Sequence, residues 1–423
     1  MGPREFLKGY QFDSRLVTGE YFSSEPLELE AGDRVGVVML NLGGPDTVEQ
    51  IEIFLYNLFM DPAIIDIPLK GILRHWICRY IARSRAKKVA VDYEMIGGGS
   101  PINRLTGEQA AALNKYLNSR FGEAADVEFK TYVAMRYWHP FSEEAAAEMR
   151  KDGINKVVLL PLYPQYSKTT TGSSLIYWHA LKENNEIPDW PTTYAFEYAA
   201  NPKFIQSVSE RIDEALQRFP KNVRDQVHLV FSAHGTPLKE MTERRDPYCC
   251  LVNSSVERVM TLRGFDRPFH VSFQSKVGPG EWLSPSTPDK LEELAGEGVR
   301  SVLMIPIAFV TDHVETAYEL DIEVRLEAEE FGIEHYEVTS GLNCHPLFIE
   351  SLAEATIAQL ILPGRDSVGA DGLDYALRPI KRMPTFKAAD RCTRCEQCDH
   401  VCEARRWDAD VAAEREEVVT QQA

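Results

Sequence analysis

Two stretches, Val35-Gly-Val-Val-Met-Leu-Asn-Leu42 and Val227-His-Leu-Val-Phe-Ser-Ala-His234, constrain this chain more than anything else in it. Each is a nearly unbroken apolar run, and each stops at a Gly/Pro break, Gly43-Gly44-Pro45 in one and Gly235-Thr236-Pro237 in the other. A strand that is apolar on both sides has to be covered on both sides, which is the pattern of a parallel sheet between helices. After the first break Asp46 or Thr47 is placed to cap an amphipathic helix over Val48 to Leu58. A second pair repeats the relation: Gly153-Ile-Asn-Lys-Val-Val-Leu-Leu-Pro161 is similar to Gly298-Val-Arg-Ser-Val-Leu-Met-Ile-Pro306. The chain therefore reads as α/β, a duplication of two doubly wound halves.

Length agrees, since 423 residues favour two or more domains. Residues 1–33 mix charge, Ser and Gly without periodicity and read as an extension, with the fold beginning at Arg34. The expected division is 34–190 for the first domain, with a basic segment at 61–91, and 191–362 for the second. From Leu362 a Pro/Gly-rich linker opens a C-terminal extension, 363–423, which holds a cysteine cluster. A net charge of −18 leaves no basic field for nucleic acid. No window approaches the ~18 apolar residues of a spanning helix and no signal-peptide core is present, so a cytoplasmic protein is expected.

In doubly wound folds ligands sit beyond the carboxyl ends of the strands, which selects the loops 41–47, 162–174, 232–238 and 307–316. In the last, Asp312 is placed to cap a helix and Glu315, Glu319 and Glu323 recur every four residues, stacking three carboxylates on one face. His313 stands at its mouth. An acidic ladder is usually a solvated face, but at a strand's carboxyl end it can hold a divalent cation or relay protons. His234 ends its apolar strand next to Gly235. A lone histidine there is more often a satisfied core residue; two histidines beside a carboxylate row point instead to deprotonation of a ligand coupled to a metal. Dehydrogenase chemistry fits poorly, because Gly43-Gly44 lacks the G-x-G-x-x-G spacing and no Walker sequence is present.

Residues 67–91 hold seven Lys and Arg and no acid, so the rest of the chain carries −25 against −18 for the whole. Between those cations Ile72, Leu73, Trp76, Ile77, Tyr80 and Ile81 recur at helical spacing. This pattern suits a membrane interface or the lip of a pocket for an amphiphilic anion, and equally a core-facing helix with a basic outer side. Cys392, Cys395, Cys398 and Cys402 form C-x2-C-x2-C-x3-C, an iron-sulfur type run for which zinc is the main competitor. Cys78, Cys249, Cys250 and Cys344 read as small buried apolar groups.

Seven motifs in order, Leu40-Asn-Leu-Gly-Gly-Pro45, Gly97-Gly-Gly-Ser-Pro101, Met135-Arg-Tyr-Trp-His-Pro140, Tyr163-Pro-Gln-Tyr166 with Thr170-Thr-Gly-Ser173, Ser232-Ala-His-Gly235, Ser272-Phe-Gln-Ser-Lys-Val-Gly-Pro279 and Asp312-His-Val-Glu-Thr316, together resemble the ferrochelatase family. The resemblance spans about residues 34–362. It implies two Rossmann-like domains of chelatase type around a porphyrin cleft, and a lyase that inserts Fe(II) into protoporphyrin IX in the terminal step of haem biosynthesis, releasing two protons. It implies His234 as the catalytic histidine and Glu315 as the facing carboxylate, both toward the substrate iron. Asp312, His313, Glu319 and Glu323 resemble a metal path whose helix contains a π-turn in relatives. Leu42, Tyr93, Ser100, Arg136, Tyr137, Tyr163 and Trp282 match porphyrin-lining positions, with Arg85 and Lys88 in the region that meets the propionates.

The resemblance also resolves the basic stretch, residues 67–91, in favour of a lip that touches the inner membrane peripherally. It suggests a [2Fe-2S] cluster on the four tail cysteines, with [4Fe-4S] or zinc as alternatives, in a structural or sensing role and with a homodimer interface as one setting. In the animal enzymes one cluster ligand lies in the Tyr-Pro-Gln-Tyr-Ser loop, where this sequence has Lys168, so all four ligands here must come from the tail. The rivals are chelation of coproporphyrin III, which the apolar lip disfavours, and a haem carrier, which has no need of a proton acceptor facing a carboxylate row.

Overall fold

The repeated apolar runs become the centres of two parallel four-stranded sheets. The computed structural model describes residues 2–10, 14–23, 25–65, 69, 71–276 and 280–363. Its strands are β1 (Leu27–Glu28), β2 (Arg34–Asn41), β3 (Glu128–Met135), β4 (Lys156–Pro161), β5 (Thr192–Tyr194), β6 (His228–His234), β7 (Phe269–Gln274), β8 (Ser301–Pro306), β9 (His335–Val338) and β10 (Leu360–Ile361). The orders are β3-β2-β4-β5 and β7-β6-β8-β9, the same topology twice. In register Val38 pairs with Tyr132 on one side and Leu159 on the other, and Phe231 with Val271 and Ile305. Val35, Val37, Val38 and Met39 are fully buried, as are Leu229, Val230 and Phe231. Each such side chain contributes roughly 1.5–3 kcal/mol by leaving water, which is why the two-sided apolar pattern translates directly into central strands.

In each sheet the chain steps from the central strand to one neighbour and then returns to the other side, so the order reverses beyond the carboxyl ends of β2 and β6. Those two crevices are where such sheets bind ligands. His234 is the last residue of β6 and therefore stands at one reversal point; Leu42 follows β2 at the other.

The two halves are not separately packed. One core runs from Val37 and Phe129 through Phe204 and Phe231 to Phe348. The helix Pro346–Ile357 packs on both Ile102–Leu117 and Pro202–Leu216. Polar ties cross as well: Gln109 Nε2 donates to the Asn343 carbonyl at 3.0 Å and Gln165 Nε2 to Ser255 Oγ at 3.0 Å. The first sheet also runs past the expected division at residue 190, because β5 pairs with β4.

Residues before Arg34 are part of the fold, which corrects the expectation that it begins there. Helices Pro3–Gly9 and Arg15–Thr18 pack on the first half, Leu16 is completely buried, and β1 pairs with β10. The expected helix Val48 to Leu58 is a 3-10 turn, Val48–Gln50, leading into Ile51–Met60, with Gln50 Oε1 accepting from the Thr47 N–H at 3.2 Å. The helix Gly71–Met95 settles the basic stretch differently from a core-facing helix: Ile72, Leu73, Trp76 and Tyr80 all lie outward, Trp76 60% and Tyr80 76% exposed. Its inner side is made by Cys78 and Ala82, and by Arg74, whose Nη2 donates to the Phe59 and Ile65 carbonyls. Cys249 is buried as expected, whereas Cys250 is half-buried and Cys344 exposed. Among the described residues no helix is long and apolar enough to cross a membrane.

Candidate active site

His234 and Glu315 are brought together from two elements. Histidine ends β6, and Glu315 opens the helical segment that follows β8 and its loop, with His234 Nδ1 3.0 Å from Glu315 Oε2. His313 Nε2 lies 4.0 Å from the other carboxylate oxygen, and its Nδ1 faces the Thr311 carbonyl at 3.0 Å. Glu315 thus sits between two imidazoles. The Phe309 ring stands edge-on to His234 at 6.4 Å and tilts against His313 at 4.8 Å, walling the pair on one side.

The electrostatics follow from this geometry. Burial alone would lower the His234 value, but the charge and hydrogen bond of Glu315, with Glu319 behind, raise it above the ordinary imidazole range. Burial would raise Glu315, and the two histidines outweigh it and hold the carboxyl well below the usual carboxylate range. With Glu315 ionised, its carboxylate accepts the Nδ1 proton of His234. Nε2 then carries the free lone pair, and the side chain is 39% exposed. Such an imidazole can take a proton at Nε2 and have the resulting cation stabilised by the carboxylate behind it.

Glu315 to Glu323 form a nine-residue π-helix that continues as the α-helix Val324–Phe331, so the carboxylate row rides on the wider helix that the family resemblance implied. Ser275 Oγ lies 2.7 Å from each Glu319 carboxylate oxygen, its single O–H shared between them. Burial, then the nearby negative Glu315, push Glu319 up to about 7. Glu323 is raised by burial and by Asp92. Asp92, near the end of the helix Gly71–Met95, also accepts a hydrogen bond from Tyr318, so the row ends against that helix. Among the described residues no three His, Cys, Asp or Glu side chains converge as a resident metal site.

Asp312 differs from expectation. It receives no backbone hydrogen bond from the helix it precedes. Instead it takes bonds from Gly341 N (3.1 Å), Asn343 Nδ2 (2.7 Å) and Thr316 Oγ1 (3.1 Å), pinning the turn to the loop after β9. Those bonds fix the start of the carboxylate row to that loop.

The other sequence-selected residues divide into two groups. Tyr93 is buried, and its hydroxyl is raised by burial and then by Glu315, which places it with the His234 side. Trp282 packs beside Gly235 and bridges to Pro237, at the same end of β6. Leu42, Arg136 and Tyr137 are tied together at the end of β2: the Arg136 N–H donates to the Asn41 carbonyl at 2.8 Å and the Tyr137 N–H to the Leu42 carbonyl at 3.0 Å. Leu42 packs with Phe54 and Tyr137. Gly43 is needed there, with φ +80° and no room for a Cβ, which would lie 2.9 Å from Met135 and Trp138. Arg136 is not free to meet a ligand carboxylate: its Nη2 is 2.7 Å from buried Asp61, and its Nε donates to Ser173 Oγ at 3.0 Å. Tyr137 donates to the same Asp61 oxygen at 2.8 Å. Tyr163 is half-buried and senses the Arg136 charge. Ser100 is tied by its N–H to the Pro45 carbonyl at 2.8 Å, and Arg85 and Lys88 lie exposed on the helix Gly71–Met95.

Sequence reading missed Asp61, Ser173, Ser275 and Asp92. Ser173 and Ser275 sit inside motifs already singled out, so the signal was present. Asp61 looks like an ordinary Asp-Pro turn residue, and only its burial reveals that it anchors Arg136 and Tyr137.

Lys168 follows the Tyr163-Pro-Gln-Tyr-Ser167 motif. It is fully buried, with its ammonium 3.1 Å from the equally buried Glu240. Asp246 accepts from the Lys168 N–H at 2.7 Å and from Ser167 Oγ at 2.9 Å. A buried ion pair therefore fills the place, and this loop offers no thiolate to a cluster. Cys392, Cys395, Cys398 and Cys402 lie outside the described residues.

Residues 34–360 match the ferrochelatase family model. A ferrochelatase of Cyanothece sp. is 40% identical over 361 residues, covering 84% of this chain and 88% of the relative. One of Synechococcus elongatus is 43% identical over 324 residues, covering 76% and 81%. Among solved structures, SirB from Bacillus subtilis with Fe3+ superposes with a TM-score of 0.46 at 10% identity, over 82% of this chain and 99% of that one. With the repeated sheets, the His234–Glu315 pair and the carboxylate row in place, the match over 34–360 assigns the chain: it belongs to the ferrochelatase family.

Proposed function

We infer that this chain inserts Fe(II) into protoporphyrin IX to form haem, the last step of haem biosynthesis, with release of two protons. The observation that carries the reading is the orientation of His234. Its Nδ1 is held by Glu315, which leaves Nε2 as the proton acceptor on the open side. Insertion of a divalent cation requires two pyrrole nitrogens to lose their protons. His234 Nε2 takes a pyrrole proton, Glu315 stabilises the imidazolium, and Glu319 carries protons away because its value near 7 lets it gain and lose them at neutral pH. Glu323 and Asp92 continue the route outward, and the same carboxylates suit delivery of Fe(II), a substrate with a preference for oxygen and imidazole ligands. Leu42, Tyr93, Tyr163 and Trp282 supply the flat apolar walls that a macrocycle needs.

The outward apolar stripe of Gly71–Met95, flanked by exposed Arg79, Arg83, Arg85, Lys87 and Lys88, supports peripheral binding to an anionic membrane surface on the cytoplasmic side. The four tail cysteines support an iron-sulfur cluster held entirely by the tail, [2Fe-2S] in this reading, since Lys168 cannot contribute; a dimer built through that tail goes with it. When bound, such a cluster would supply structural or redox-sensing capacity, and none of the proton steps above involves it.

The test is anaerobic Fe(II) insertion into protoporphyrin IX and coproporphyrin III in parallel, followed by absorbance, with His234→Ala as control. Turnover favouring protoporphyrin and lost in the variant is expected. Preference for coproporphyrin III overturns the substrate, and haem binding without turnover overturns the activity.

A further inference from the structure

The helix Pro3–Gly9 lies outside the stretch matched by the family model, yet it packs against three elements of the site: Ile51–Met60, Gly71–Met95 and Ser173–Glu183. Two side chains make the attachment. Arg4 holds the buried His75 of the helix Gly71–Met95, its Nε 3.2 Å and its Nη2 2.8 Å from His75 Nδ1, and Tyr56 Oη lies 3.0 Å from the same nitrogen. Phe6, 5% exposed, turns the other way. Its ring lies 5.0 Å from the Arg136 guanidinium carbon and meets Tyr177 edge-on at 5.5 Å. Tyr177 and Tyr137 flank that guanidinium at 4.3 and 5.0 Å. Together with Gly2 and Pro3, Phe6 closes one side of a cavity of about 280 Å³ that reaches Asp61, Arg136 and Tyr137.

We propose that the N-terminal helix is a working part of the substrate cleft and that Phe6 is a positioning residue for Arg136. The chemistry is that of a cation between rings: three aromatic faces attract the guanidinium and keep water from the Asp61–Arg136 pair, which strengthens that pair. The Arg136 and Tyr137 N–H groups are bonded to the carbonyls of Asn41 and Leu42. A guanidinium that moves therefore moves the loop that bears Leu42, a wall of the porphyrin site. The N-terminal helix thus holds that arginine, and through Arg4 it fastens the same point to the lip helix.

This inference rests on reading the cleft as the porphyrin site. The test uses the full chain and measures porphyrin KM, kcat and thermal midpoint for Phe6→Ala, Phe6→Leu and Phe6→Tyr. Phe6→Leu keeps apolar volume and removes the ring, whereas Phe6→Tyr keeps the ring. Expected for Phe6→Ala and Phe6→Leu is a rise in porphyrin KM of about 3- to 30-fold, the range a ring–cation contact spans, with kcat within about twofold and Phe6→Tyr near wild type. An unchanged KM in Phe6→Leu overturns the proposal. So does a KM that follows the thermal midpoint in all three variants, because that marks packing alone. Failure of the wild-type chain to turn over porphyrin would instead sink the reading of the cleft, so the two failures are distinct.

Discussion

Replacing Glu319 by Gln should make the protein more stable and less active, and the size of the first effect can be worked out. Burial and the neighbouring Glu315 raise Glu319 from the ordinary 4.5 to about 7. A tenfold displacement of a proton equilibrium corresponds to ~1.4 kcal/mol, so ionising Glu319 in the folded protein costs on the order of 3 kcal/mol. The sign follows from linkage. Below pH 4.5 the residue is protonated in folded and unfolded chains alike and contributes nothing. Between 4.5 and 7 the unfolded chain releases the proton first, so wild-type stability declines as pH rises, and above 7 the full penalty is present. Gln never ionises and can still accept from Ser275 Oγ. Urea denaturation of wild type and Glu319→Gln should therefore give nearly equal stabilities at about pH 4 and a gain approaching ~3 kcal/mol for the variant at about pH 8. Insertion of Fe(II) should fall about 100-fold or more, the range of a lost proton-transfer group. A stability difference that does not depend on pH, or a variant less stable at about pH 8, would refute the reasoning.

Three further outcomes are expected. Lys168→Met should cost ~3 kcal/mol in denaturant unfolding, because it strips the buried Glu240 of one partner and leaves it to Arg244 at 2.9 Å; a neutral result would mean Arg244 suffices. Trp76→Ser with Tyr80→Ser should abolish sedimentation with anionic vesicles while leaving insertion in detergent unchanged, and retained sedimentation would place the membrane contact elsewhere. Cys395→Ser should remove visible cluster absorption together with bound iron and sulfide; unchanged absorption at the same metal content would exclude Cys395 as a ligand.

What could be read from the residues was set by how local the physics is. Continuous apolar strands such as Val35 to Leu42 announce themselves, since burial on both faces leaves no polar position, and the repeat of that pattern carries the two-sheet topology. His234 and Glu315 were legible because each stands at a strand's carboxyl side, although their 3.0 Å contact depends on long-range folding. The N-terminal helices were not legible: Phe6 and Leu16 bury themselves singly, against Tyr177 and Tyr166, without a period that would mark them. Nor was the role of Asp312, whose capping position is common in sequence but whose partners Gly341 and Asn343 arrive from another loop. The outward direction of Trp76 and Tyr80 could not be told from periodicity, because a stripe looks the same whichever way it faces.

The π-helix Glu315–Glu323 makes the carboxylate row a matter of reading frame as much as of residue type. Each turn of it holds more residues than an α-turn, so it behaves as an α-helix carrying inserted residues. Removing a single residue from it would close the segment toward α-geometry and change the angle at which Glu319 and Glu323 project relative to Glu315. Glu319 and Glu323 would then swing away from Ser275 and Asp92 with every acid still present. A one-codon deletion there should thus be as damaging as losing a carboxylate, whereas a conservative exchange at Ala317 or Ile322 should pass almost unnoticed.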